Sequence, residues 1–166
     1  MGAESGLVAG ELYRRLAAYC DANGSGKALP AEIGFRCFPH RPRLLRKPDG
    51  SYFRSGRLPG NRVPAGDILI APDLVIESIS PNELADTVIE KTEDYLAAGV
   101  NLVWIIYPAR RRAVSFAPNG FSQWIDEAGE LDGRDVVPGF RCRLGDILQT
   151  PDPAGSSESG ATGSDS

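Results

Sequence analysis

Along the first twenty positions Leu7, Leu12, Leu16, Tyr19 and Cys20 recur at helical spacing with Glu11 among them. This predicts a helix over residues 7–20, ended by the polar, glycine-rich stretch 21–27. Ile33, Phe35 and Cys37 alternate with other residues and predict a strand over 32–38, after which Pro39 and Pro42 mark a turn. Residues 48–66 are rich in Gly, Pro, Asn and Arg, so they read as a loop excursion with one short strand at 51–54. Residues 68–79 are nearly all apolar apart from Asp73, Glu77 and Ser78, the pattern of a strand buried on both faces. Pro81 and Asn82 open a second helix, expected to reach Ala98 and stop at Gly99. Residues 102–107 form another apolar strand, and the order strand, helix, strand predicts a crossover between parallel neighbours. Strands at 114–116 and 121–125 flank Pro118, Asn119 and Gly120, a hairpin signal. A Pro138, Gly139, Phe140 turn and a short helix over 144–149 close the pattern. The sum is an α/β fold with a central mixed sheet flanked by helices.

A chain of 166 residues, 42% apolar, suits one domain with one core. That domain is expected over residues 1–150. Beyond Thr150 the residues are small, polar or acidic, so 151–166 are expected to form a disordered acidic tail. No run approaches the ~20 apolar residues of a membrane span, and the N-terminus lacks a secretory pattern. A cytoplasmic protein without membrane contact is the expectation. The three cysteines are odd in number and far apart, and the single histidine, His40, sits between Pro39 and Arg41. These counts disfavour a disulfide framework, a structural zinc site and a histidine-based triad.

The net charge of −4 is unevenly placed. Residues 36–62 carry eight bases and one acid, Asp49, whereas residues 67–94 carry eight acids and one base, Lys91. A basic surface for phosphates beside an acidic surface for a metal would suit phosphodiester cleavage, and two solvated faces would give the same count. On the strand over 68–79, Asp73, Val75, Glu77 and Ile79 share one face. A buried Glu77 must meet a cation, hydrogen-bond donors or water. Around the second helix, Leu84, Val88, Lys91, Tyr95 and Ala98 form one stripe, with Glu83, Asp86, Glu90, Glu93 and Asp94 opposite. Lys91 either snorkels from that stripe or pairs with a buried acid such as Glu77.

The run Ala71, Pro72, Asp73, Leu74, Val75, Ile76, Glu77, Ser78, Ile79, Ser80, Pro81, followed by Lys91, Tyr95, Ala98, Gly99, Val100, Trp104 and Pro108, resembles the Uma2 family of restriction endonuclease-like proteins. Pro48 with Asp49 and the Pro138, Gly139, Phe140 turn extend the resemblance over residues 7–149. It implies a PD-(D/E)XK nuclease core that cuts nucleic acid, DNA first, with Mg2+ or Mn2+. By the same resemblance Asp49 and Glu77 are the metal acids and Lys91 the catalytic lysine, which has left the position of Ile79 for the helix. Asp73 and Glu11 are supporting acids in this expectation. Arg43, Arg46, Lys47 and Arg54 are expected near phosphates, and a homodimer is among the expected assemblies. A catalytically silent module that binds nucleic acid or protein on the same surface is the alternative.

Overall fold

The computed structural model describes residues 1–151, so the expected acidic tail, Pro151 apart, lies outside the described residues. The elements in chain order are α1 (Ala3–Asn23), β1 (Gly26–Leu29), β2 (Gly50–Arg54), β3 (Leu74–Ser78), α2 (Ala85–Ala97) and β4 (Leu102–Tyr107). They continue with β5 (Arg112–Ala117), β6 (Phe121–Ile125), β7 (Glu130–Asp132) and β8 (Arg141–Arg143). Strands β1 to β6 form one sheet in sequential order, and β7 pairs with β8 apart from it. Only β3 and β4 run parallel; every other neighbouring pair is antiparallel. The parallel pair is joined through α2, as the strand, helix, strand order predicts.

The sheet divides two cores. On one face α1 packs Val8, Leu12, Leu16 and Cys20 against Tyr52, Leu74, Ile76 and Trp104. On the other, Val88 and Tyr95 of α2 meet Val75, Val103 and Ile105, together with Phe35, Phe38 and Ile68 from the long connections. Each large apolar side chain so buried contributes about 1.5–3 kcal/mol, and both faces of β3 and β4 collect that gain. The result is a mixed α/β sandwich of three layers.

Several boundaries differ from the sequence expectation. The strand expected over 32–38 is absent: Glu32 takes a left-handed φ of 70°, and only Phe35 bridges to Arg46 and Ile68. The strand expected over 68–79 shrinks to β3, because Leu69 is exposed and Pro72 interrupts the pairing. In place of a loop, Gly26–Leu29 forms β1, whose pattern holds one fully buried residue, Leu29. Backbone pairing with β2 sustains it, and a Cβ at Gly26 would lie 2.1 Å from the Phe53 carbonyl oxygen. The short strand expected at 51–54 is present as β2, but it starts right after Asp49 and is an interior strand with Gly50, Ser51, Tyr52 and Phe53 all buried. The closing helix over 144–149 is only a single 3-10 turn, Leu144–Asp146.

Candidate active site

The chain brings Asp49 and Glu77 together through register. Gly50 lies opposite Ile76 in the antiparallel β2–β3 pair, so one further step sets Asp49 beside Glu77. The Asp49 N–H donates to the Ile76 carbonyl at 3.0 Å, and its Oδ2 accepts the Ser78 N–H at 2.7 Å. Two backbone hydrogen bonds thus lock an acid from a loop onto the end of β3. Glu77 points to the face covered by α2, as alternation requires, and is 4% exposed.

Helix α2 supplies the partners. One helical turn apart, Lys91 and Tyr95 reach the same carboxylate: the Tyr95 hydroxyl donates to Glu77 Oε1 at 2.6 Å, and Lys91 Nζ stands 3.8 Å from Oε2. The closer partner of Lys91 is Glu83, at 2.7 Å. The sequence places Glu83 across the helix from Lys91, and the structure corrects this. The helix starts at Ala85, so Glu83 lies in the preceding turn and folds back onto Lys91. Pro81 and Asn82 are turn residues here and do not open the helix. Leu84, assigned to the apolar stripe, is 72% exposed for the same reason.

Two carboxylates, Glu77 and Glu83, therefore share the Lys91 ammonium, and the Asp49 carboxyl stands within reach of its charge. Burial pushes the Glu77 carboxyl up to about 7; Lys91 opposes the rise, and the Asp49 charge adds to it. Asp49 is also raised by burial, with the Ser78 N–H opposing. Lys91 is raised overall, its burial being outweighed by Glu77 and Glu83. The Tyr95 hydroxyl is held well above its ordinary range by burial and by Glu77, so it remains a donor.

The two supporting acids stand elsewhere. Asp73 is buried at the opposite end of β3 and is consumed there: its Oδ1 accepts Arg57 at 2.8 Å and its Oδ2 accepts the Arg54 N–H at 2.8 Å. Four residues of extended strand separate it from Glu77 by about 13 Å. Glu11 lies on α1, across the sheet, where Arg14 and Arg15 hold its carboxyl down at about 2. Leu7, its supposed neighbour on the buried face, is exposed; the buried stripe is Val8, Leu12 and Leu16. Both acids leave the candidate site on geometric grounds.

The basic surface also changes. Arg46 and Arg41 bind Asp94 and Glu90 of α2, Arg36 binds Asp67, and Arg57 binds Asp73. Arg54 donates to the carbonyls of Asp135 and Val136. Lys47 lies 3.6 Å from Glu32 in an exposed pair. The basic and acidic segments of the sequence neutralise one another across the fold. Arg43 and Arg62 are in no ion pair with an acid among the described residues.

Beside the acids a cleft of about 430 Å3 opens between Ile79, Glu83, Ile89, Tyr107 and Arg110. Tyr107 and Glu83 are thus residues that apolar patterning passed over. Among the described residues no group of three His, Cys, Asp or Glu side chains is arranged to hold a metal, and no helix is long and apolar enough to cross a membrane.

The fold is shared with the crystal structure of a putative nuclease belonging to DUF820 from Anabaena variabilis, with a TM-score of 0.74 over 89% of this chain and 81% of that one. The two sequences are 21% identical. No curated protein matches the chain. The sequence profile of the Uma2 family, described as a putative restriction endonuclease, matches residues 1–145, a span that contains Asp49, Glu77, Glu83, Lys91 and Tyr95. On that match, across nearly all of the described fold, the chain belongs to the Uma2 family.

Proposed function

We propose that this protein hydrolyses phosphodiester bonds in nucleic acid, with DNA as the first expected substrate, using a divalent cation held by Asp49 and Glu77. The observation that supports this reading is the excess of acid at the end of β3: Glu77 is buried there and Asp49 half-buried, with Glu83 nearby. Among the described residues Lys91, paired with Glu77 and Glu83, is the one side-chain cation in ion-pair contact with any of the three. A buried carboxylate is costly without a counter-charge, so the donor set favours an added cation. Two protein carboxylates, with remaining positions for water and phosphate, match the way Mg2+ is commonly held. Bound there, such an ion would polarise the phosphate and acidify its water. Tyr95 fixes the Glu77 carboxylate through the hydroxyl it donates. In this reading Lys91 orients the attacking water and offsets charge that develops on the phosphate.

A second reading rests on the 2.7 Å pair between Lys91 and Glu83, which neutralises the lysine more directly than the 3.8 Å contact with Glu77. With Lys91 so engaged, the protein is a nuclease-fold module that binds without cutting. Cleavage of supercoiled plasmid, single-stranded DNA and RNA in Mn2+ or Mg2+ separates the two. The enzyme reading expects cleavage that Asp49→Ala abolishes and Lys91→Met lowers on the order of 100-fold, Met retaining much of the packing volume. Equal cleavage by wild type and Asp49→Ala would sink it, and no cleavage of any substrate despite metal binding would favour the silent module.

A further inference from the structure

The cleft beside the acids continues into an aromatic surface that the hydrolytic chemistry does not use. Trp124, on β6 at the edge of the sheet, is 69% exposed, and its ring stacks on Tyr107 at 6.4 Å with 26° between planes. Register places this pair on the face of the candidate site. Glu77 lies opposite Ile105, Ile105 opposite Val114, and Val114 opposite Trp124, so the four side chains stand in one row across four strands. Three strand spacings put Trp124 about 14 Å from Glu77. Tyr107 occupies the middle ground, lining the cleft with Glu83 and Arg110. Arg112, opposite Tyr107 in the register, points to the same face. Arg110 and Arg112 are exposed and form no ion pair with an acid among the described residues. Elsewhere the arginines of this protein are largely engaged with acids, which makes a free basic pair beside an open indole a distinct feature.

We infer that the Tyr107–Trp124 pair is a stacking platform for an unpaired base, with Arg110 and Arg112 taking the adjoining phosphates, so that the strand entering the candidate site is single-stranded or locally unpaired. This rests on the reading that the site acts on nucleic acid. A flat, exposed indole backed by a second ring offers a π-face to any base, and a duplex hides those faces in its own stack. Nearby arginines supply the charge complementarity that phosphates require.

The test is binding in metal-free buffer, where cleavage plays no part. Trp104 is fully buried, so quenching of tryptophan fluorescence on adding short oligodeoxythymidine reports on Trp124. Quenching in wild type and its loss in Trp124→Phe are expected, with affinity largely kept because Phe still stacks. Trp124→Ala should weaken single-strand binding roughly ten-fold or more and leave duplex binding nearly unchanged. Unquenched fluorescence, no single-strand binding, or equal affinities of wild type and Trp124→Ala would overturn the platform. So would sedimentation showing a wild-type dimer that Trp124→Ala dissolves, since a second copy would then cover the indole. Failure of the hydrolytic reading looks different: single-strand binding would persist and depend on Trp124, with no cleavage on addition of Mn2+.

Discussion

The electrostatics at the end of β3 turn on the proton affinity of Glu77. Its carboxyl rises from the ordinary 4.5 to about 7, first through burial and then through Asp49. Between those two values the folded protein binds more protons than the unfolded chain, so this group's contribution to stability is full below pH 4.5 and is lost as pH rises through about 7. The free-energy change is on the order of 3 kcal/mol. Glu77→Gln should therefore gain stability relative to wild type by about that amount between mildly acid solution and pH about 8. Urea unfolding of both proteins in metal-free buffer measures it, and a pH-independent difference would contradict the shift. Adding Mn2+ at the higher pH should stabilise wild type and have little effect on Glu77→Gln, because a ligand that binds only the folded state adds to its stability. Glu77 and Lys91 could be singled out in sequence because a charge inside an apolar pattern demands a partner. Glu83 and Tyr95 could not: by periodicity Glu83 falls on the far side of a helix it does not belong to, and Tyr95 is patterned as core.

At the scale of elements, α2 is held twice. Its inner face packs Val88 and Tyr95 into the second core, and its outer flank binds Arg41 and Arg46 of the β1–β2 connection through Glu90 and Asp94. The two acids differ in burial, and burial decides their worth. Arg46 and Asp94 are each mostly shielded from solvent, whereas Glu90 is more than half exposed. Asp94→Ala leaves a partly desolvated guanidinium with a weaker partner and should cost about 2 kcal/mol. Glu90→Ala removes an exposed pair and should cost less than about 0.5 kcal/mol. Denaturant unfolding of the two variants makes the comparison, and equal losses would show that the clamp is a surface feature. Because α2 also carries Lys91 and Tyr95, Asp94→Ala should disturb the candidate site in proportion to the loosening of its helix.

For the molecule as a whole, the same pairing sets how it can meet nucleic acid. Eight bases within residues 36–62 would by themselves predict a steep salt dependence, with a log–log slope near about −7 if each met a phosphate. Five of the eight, Arg36, Arg41, Arg46, Lys47 and Arg57, instead face acids of the same chain. A further one, Arg54, is spent on backbone carbonyls. The expected slope is about −2 to −4, carried by bases outside ion pairs. Titration of an oligonucleotide across a range of salt concentrations provides the number, and a slope near about −7 would mean that the internal pairs open on binding.

Much of this architecture was legible from local pattern. The continuous apolar runs of β3 and β4, the helix between them and the β5–β6 hairpin each follow from periodicity and turn chemistry, which act over a few residues. The same patterning singled out Glu77 and Lys91, and the resemblance aligned Asp49 with them. What local pattern missed depends on contacts far apart in the chain. The weakly patterned β1 exists because β2 offers it backbone partners, and β2 became an interior strand because β1 and β3 enclose it. Asp73 and Glu11 carry the right side chains in the wrong places, one at the far end of a strand and the other beyond the sheet. Where charges interrupt apolar segments follows from the order of residues alone. Which charges meet was decided by the tertiary structure, because register and sheet face set the few ångströms over which burial and Coulomb forces act.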